Sequence, residues 1–327
     1  SSAASDVYKR QTENIEMNHD RYGSMAQRLP VNGIYFQKMD AKLAMADASY
    51  QWIDIDPFGS PVPFIDSAIQ SLARTGVLEV TATDTAALTG SSLSSQKRRY
   101  GAQGIADDYA HDDAVRVLLG MIAKTAAMHD RIIKPILSLF DGHHVRVSVL
   151  IKTSKEAASN FQEQLGYRLR TKDVPYKFIK YPSADQIKSA SGPLWIGPLM
   201  DKEIAGRLTE ECAIQTCLPT SDELEELIAK GLAWSDKDVE YATREMIRSV
   251  KHISSAADLL SRQHMLLSLN SMPRLAGTKG APKMDDVISD LIELGYSAAR
   301  YPDMEPMFVT DASFDDVISI FRKYHYD

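Results

Sequence analysis

At 327 residues, with 44% hydrophobic and 25% charged positions, the chain has room for two domains with full cores and the make-up of an ordinary globular protein. Its formal net charge of -7 argues against nucleic-acid binding as a bulk property, because phosphate contacts dominate such affinity, but leaves room for a local basic surface. No apolar run approaches membrane-spanning length and no secretory signal is visible, so the reading is a cytoplasmic protein, and two cysteines, Cys212 and Cys217, are too few for a disulfide framework or a structural zinc site.

The first eleven residues, Ser1 to Gln11, look like translated sequencing adaptor and are set aside as an artefact; residues from Thr12 onward then read as a gene fragment. Gly33 to Lys38 and Tyr50 to Ile55 read as short strands. Pro63 opens a helix over Phe64 to Arg74 that Gly76 stops, and Val77 to Thr83 reads as a buried strand. Ala87 to Ala106 is polar and rich in Gly and Ser, which predicts a loop. Asp112 to Met128 carries helical apolar spacing at Val115, Leu118, Leu119, Ile122 and Ala126. Ile132 to Phe140 and Val145 to Ile151 flank Asp141-Gly142, a hairpin signal. A parallel sheet closed by an antiparallel hairpin is the expected core.

From about Lys202 the chain turns acidic and helix-rich. Ser221 caps Asp222 to Lys230, Glu240 to Leu260 is a longer helix, and Pro282 opens a helix with its stripe at Val287, Ile288, Leu291, Ile292 and Leu294, stopped by Gly295. Tyr296 to Arg300 and Met307 to Thr310 read as strands and Phe314 to Tyr324 as a last helix. This is a separate α+β domain, with boundaries at 12–200 and 201–327.

The chemistry-bearing stretch is Trp52-Ile53-Asp54-Ile55-Asp56-Pro57-Phe58-Gly59-Ser60-Pro61. A strand stopped by Pro57 and Gly59 sets the Asp56 carboxylate and the Phe58 ring at a strand's carboxyl end, where open α/β sheets bind ligands. A carboxylate accepts hydrogen bonds from an exocyclic amine while an aromatic ring stacks on the base, an arrangement suited to chemistry on a planar amine. The same residues also suit a plain Asp-Pro-x-Gly turn. Lys97-Arg98-Arg99-Tyr100 is a compact basic cluster with an aromatic; such a run is equally a solvated face. Adjacent residues on a strand point to opposite faces, which speaks against a shared metal at His143-His144 and favours a hairpin role, and His111 with Asp112 suits a structural hydrogen bond better than an acid/base pair.

In order along the chain, DPFGSP, the Asp66 to Ser71 helix, Val77 to Thr85, Arg98-Arg99-Tyr100-Gly101, Leu118-Leu119-Gly120, Asp130-Arg131, Lys134 to Ser138, Gly192 to Leu199, Leu294 to Arg300 and Thr310-Asp311-Ala312 resemble the tRNA guanine-N2 dimethyltransferases acting on guanosine 26, of archaeal type. The resemblance spans nearly the whole chain. It implies an α/β fold: a Rossmann-like class I methyltransferase sheet, here incomplete because the family's first two strands would lie upstream, followed by a smaller α+β domain. Without those strands Gly33 to Lys38 would lack a neighbour and the chain would be an inactive fragment prone to aggregation.

The resemblance implies S-adenosyl-L-methionine as cofactor, held by Asp40, Ala41 and Asp56, and tRNA as partner, met by Lys97, Arg98, Arg99 and Tyr100 and by the C-terminal domain. Asp56, Pro57 and Phe58 would carry the methyl transfer to N2. Without the family, Asp40 reads as a turn acid. Many relatives carry two Cys-x-x-Cys pairs where Tyr167 to Ser191 has none, so a metal-free connection is expected there and no metal elsewhere. Two other readings stay open: a non-catalytic RNA-binding remnant, and a magnesium-dependent phosphohydrolase using Asp54 and Asp56, for which only Asp84 offers a further acid.

Overall fold

The computed structural model describes residues 39–218, 235–262, 265–302, 304 and 306–324, with three isolated positions between 219 and 234. The expected strand over 33–38, the adaptor-like start and most of the helix over 222–230 lie outside the described residues. Two compact units divide the chain, Ser1–Ala44 and Met45–Asp327. The first contributes the opening of a short helix, Ala41–Ala46, to the described residues.

In the second unit, β1 (Tyr50–Ile55) runs parallel to β2 (Leu72–Ala82), joined by the helix Val62–Ser71. β3 (Arg131–Phe140) and β4 (Val145–Thr153) form the expected antiparallel hairpin, and β4 pairs antiparallel with β2, so the described sheet has the order β1-β2-β4-β3. Alternation along β1 buries Ile53 and Ile55 and turns Trp52 and Asp54 to solvent, the period-two pattern of a strand with one covered face. The helix Val62–Ser71 packs against β1 and β2, and the helix Ala110–Met128, buried along most of its length, packs against β3 and β4. Its Gly120 faces the segment around Leu194 and Trp195, where a Cβ would make ordinary contact with the Trp195 amide nitrogen at 3.4 Å.

Tyr167 to Ser191, read as a metal-free connection, forms a three-stranded antiparallel sheet of β5 (Leu165–Arg170), β6 (Tyr176–Ile179) and β7 (Ala190–Trp195), with β5 central. The C-terminal elements build another, β8 (Met265–Ser268), β9 (Ala298–Arg300) and β10 (Met307–Thr310), with β10 central, and the helices Met284–Glu293 and Phe314–Lys323 packing around Leu267, Phe308 and Phe321. The long helix Asp236–Leu260 shares the main core with the first sheet through Ile253, Ala256 and Leu260.

Several expectations are corrected. The first helix ends at Ser71, and Gly76 is no stop signal: it sits inside β2, where a Cβ would lie 2.9 Å from the Gln51 carbonyl oxygen, so close strand approach is what requires it. The loop expected over Ala87 to Ala106 contains the helices Thr85–Leu88 and Leu93–Tyr100, the second closed by Gly101 in the left-handed conformation at φ 64°. β8 was not anticipated. In the Met284–Glu293 stripe Val287 and Leu291 are buried, whereas Ile292 and the following Leu294 are exposed. Cys212 and Cys217 are free and exposed. The hairpin role read for His143 and His144 holds: they lie in the turn between β3 and β4, where both amides donate to Asp141 Oδ1 at 3.0 and 2.9 Å.

Candidate active site

Because β1 and β2 are parallel, with Ile55 beside Val80, their carboxyl ends open side by side. Asp56 leaves β1 there, exposed; Pro57 is half-buried, and Phe58 stands 89% exposed. An aromatic ring this exposed in a protein that buries most of its large apolar side chains has no packing role. The loop bearing it is nonetheless fixed. Gly59, at φ 85°, donates its amide to Thr83 Oγ1 at 2.6 Å and accepts the Thr83 amide at 3.0 Å, so the loop is laced to the end of β2.

The lacing continues into the helix Leu93–Tyr100. Gln96 and Tyr100, four apart, turn inward and are buried, which leaves Lys97, Arg98 and Arg99 on the outer surface. The Tyr100 hydroxyl donates to Asp84 Oδ1 at 2.6 Å and lies 3.1 Å from Ser60 Oγ, and Arg99 Nη1 pairs with Asp84 Oδ2 at 2.9 Å. Burial, reinforced by the Asp84 contact, holds the Tyr100 phenol far above its usual range. Its hydroxyl is a donor at any physiological pH. The structure thus brings together Asp56, Pro57, Phe58, Arg99 and Tyr100 at one end of the sheet. Of the four residues read as RNA contacts, Tyr100 alone is buried, at 6% exposure, and faces the loop. Lys97 and Arg98 face solvent in the helix's last turn, where cations are favoured by the exposed carbonyls.

Asp40 and Ala41 are exposed at the start of the Ala41–Ala46 helix, and Asp40 Oδ1 accepts the Lys42 amide at 2.8 Å. Asp54 is spent on Arg146, whose Nη2 lies 2.8 Å from Asp54 Oδ2 and also reaches Glu79, while Nη1 bonds Thr81 Oγ1 at 2.6 Å. Asp54 and Asp56 therefore do not act as a pair. Asp84, the third acid considered for a metal, is held by Arg99 and Tyr100. His111 stacks on Phe140 with ring centroids 4.2 Å apart, and burial lowers its pKa. Its neighbour Asp112 bonds Arg116 and Tyr301 instead, which leaves no acid/base pair.

Ser60 and Thr83 were not singled out from the sequence. Their signal was present only as their adjacency to the Asp-Pro-Phe-Gly turn and to a strand end. A cleft of about 850 Å³ opens elsewhere, at the far ends of β3 and β4, lined by Arg131, Lys134, Ser154 and Asp201 among others. It does not touch the loop, and Lys134 within it is paired with Asp201.

A family model described as N2,N2-dimethylguanosine tRNA methyltransferase matches residues 2–322. Among curated relatives, the tRNA (guanine(26)-N(2))-dimethyltransferase of Metallosphaera sedula is 36% identical over 216 residues, covering 62% of this chain and 56% of that one. The enzyme of the same name from Archaeoglobus fulgidus is 30% identical over 292 residues, covering 86% of this chain and 72% of that one. The solved structure of Trm1 from Pyrococcus horikoshii, in complex with S-adenosyl-L-methionine, superposes with a TM-score of 0.71 at 26% identity, covering 87% of this chain and 70% of that one. The chain thus spans little more than half the length of the first of these relatives and about seven tenths of the others. With a match over nearly all of its residues, the chain belongs to the N2,N2-dimethylguanosine tRNA methyltransferase family.

Proposed function

We propose that this protein transfers methyl groups from S-adenosyl-L-methionine to the exocyclic N2 of guanosine 26 in tRNA, giving the monomethyl and then the dimethyl base, in the cytoplasm. The observation that carries the reading is the exposed Asp56-Pro57-Phe58 loop, presented at the sheet's carboxyl end on fixed backbone anchors. The residues suit the cofactor: Asp40 keeps Oδ2 open beside a helix start and Asp56 has both oxygens open among the described residues, acceptors of the kind an adenine amine and a reacting amine require. When bound, the sulfonium supplies an electrophilic methyl group.

The protein's part is orientation. The target guanine leaves the helical stack, Phe58 packs on its ring, and the Asp56 carboxylate with the Pro57 carbonyl accepts the two N2 hydrogens, which aims the nitrogen lone pair. The new nitrogen–carbon bond would form as the methyl's bond to sulfur breaks, the leaving group being a neutral thioether, and the proton lost from N2 would pass to Asp56 or to water, so no group with a pKa near neutrality is required. Lys97, Arg98 and Arg99 suit contact with the tRNA backbone, and the C-terminal elements over 201–327 suit a second tRNA contact. The test is incubation of the chain with a tRNA transcript and methyl-labelled cofactor, followed by nucleoside mass spectrometry. N2-methylated guanosine that disappears when guanosine 26 is replaced by adenosine supports the reading, and its absence from both transcripts overturns it.

A further inference from the structure

We infer that Tyr100, with Ser60 and Asp84, is a positioning residue that sets the height and tilt of the Asp56-Pro57-Phe58 loop over the sheet, an inference that rests on the function proposed above. Phe58 projects from the fold at 89% exposure, so side-chain packing does not hold its place. The loop has two anchors. One is the exchange between Gly59 and Thr83 already described, and the other is Ser60 Oγ at 3.1 Å from the Tyr100 hydroxyl.

Donor counting fixes the direction of the second anchor. A phenol has one proton, and the 2.6 Å contact assigns it to the Asp84 carboxylate, which cannot donate. Ser60 must therefore donate to Tyr100, and the bonds run one way from Ser60 to Tyr100 to Asp84, with Arg99 neutralising the acid at 2.9 Å. Short bonds to an ionised acceptor are the strong, geometrically strict kind. The Tyr100 ring is itself locked in the core at 6% exposure. A loop tied through a hydroxyl to an immovable ring presents Asp56 and Phe58 in one pose, and pose is what a transfer that relies on orientation needs.

Tyr100→Phe deletes the hydroxyl, keeps the ring and leaves Arg99 on Asp84, and Ser60→Ala cuts the same link from the loop side. Residue-resolved hydrogen exchange on the full chain is expected to show the Gly59 amide exchanging about tenfold faster in each variant, no faster in the double variant, with the Ala110–Met128 helix unchanged. Single-turnover methyl transfer at saturating tRNA is expected to slow about tenfold while the tRNA Kd stays within twofold. Unchanged Gly59 exchange in both single variants overturns the inference, as does faster exchange with a wild-type transfer rate. If the unmodified chain transfers no methyl group while Gly59 responds as described, the functional reading fails and the anchor on the loop stands.

Discussion

Asp54 and Asp56 are two positions apart and have different surroundings. Asp54 points from an exposed strand face to Arg146, whereas Asp56 is open to solvent among the described residues. Replacing Asp56 with Ala is expected to lower kcat by about 100-fold, roughly 2.7 kcal/mol of transition-state stabilisation, with little change in tRNA affinity. Asp54→Ala breaks an ion pair whose acid side chain is 45% exposed, which screening limits to about 1 kcal/mol or less of stability, and is expected to leave the transfer step alone. Single-turnover assays with folded fractions checked by circular dichroism measure both, and equal rates for the two variants would return Asp56 to the role of a turn residue.

The helix Leu93–Tyr100 divides its labour by face: its buried face holds the loop, while its outer face offers Lys97 and Arg98 to the solvent. The double change Lys97→Ala with Arg98→Ala spares Asp84 and is expected to flatten the log-log salt dependence of tRNA binding by about two units; an unchanged slope marks a solvated surface. A second short helix, Lys202–Ala205, is capped by Asp201, whose carboxylate is held below its usual range by the Lys134 ammonium. A depressed carboxylate contributes stability that is complete above the unfolded value, about 3.9, and is lost as pH falls through the lower folded one. Urea midpoints for Asp201→Asn should therefore fall short of those of the unmodified protein at about pH 6, and the gap should narrow as pH falls below the usual carboxylate range.

How far the sequence discloses these elements depends on the range of the forces involved. β1, the Ala110–Met128 helix and the hairpin of β3 and β4 are set by local alternation, helical spacing and an Asp-Gly turn, and are legible as such. The helix Leu93–Tyr100 is not, because its eight residues LSSQKRRY are too polar to show a stripe and Gln96 and Tyr100 are the inward pair. Likewise Asp56 and Phe58 stand out as a motif. Ser60 gains meaning only from a tyrosine 40 residues later.

For the whole molecule, the least expected feature is buried charge. Arg168, on β5, is fully buried and bonds Asp113 at 2.6 Å and Asp107 at 2.9 Å. Its positive charge is retained despite burial because those carboxylates surround it. Hydrophobic patterning assigns an arginine to the surface, so nothing local announces it. Arg168→Ala would strand Asp113, and the expected cost is about 3–5 kcal/mol. Arg170→Ala, removing a side chain 56% exposed beside the same Asp107, is expected to cost under about 1 kcal/mol. Chemical denaturation of the two variants makes the comparison, and similar losses would mean that the buried network does not hold β5 to the helix Ala110–Met128.

The residue before Asp113 in the helix Ala110–Met128 carries the matching link. Asp112 takes the Tyr301 hydroxyl at 3.1 Å from the C-terminal elements and pairs with Arg116, while Asp113 takes Arg168 from the middle sheet. One peptide bond therefore separates two fasteners that reach different parts of the protein. In mechanical terms the start of this helix is a pivot without slack: any bend between the first sheet and the C-terminal elements must pull the buried Asp112 from Tyr301. The distance between the loop that bears Asp56 and the C-terminal elements is then built in like the span of a caliper.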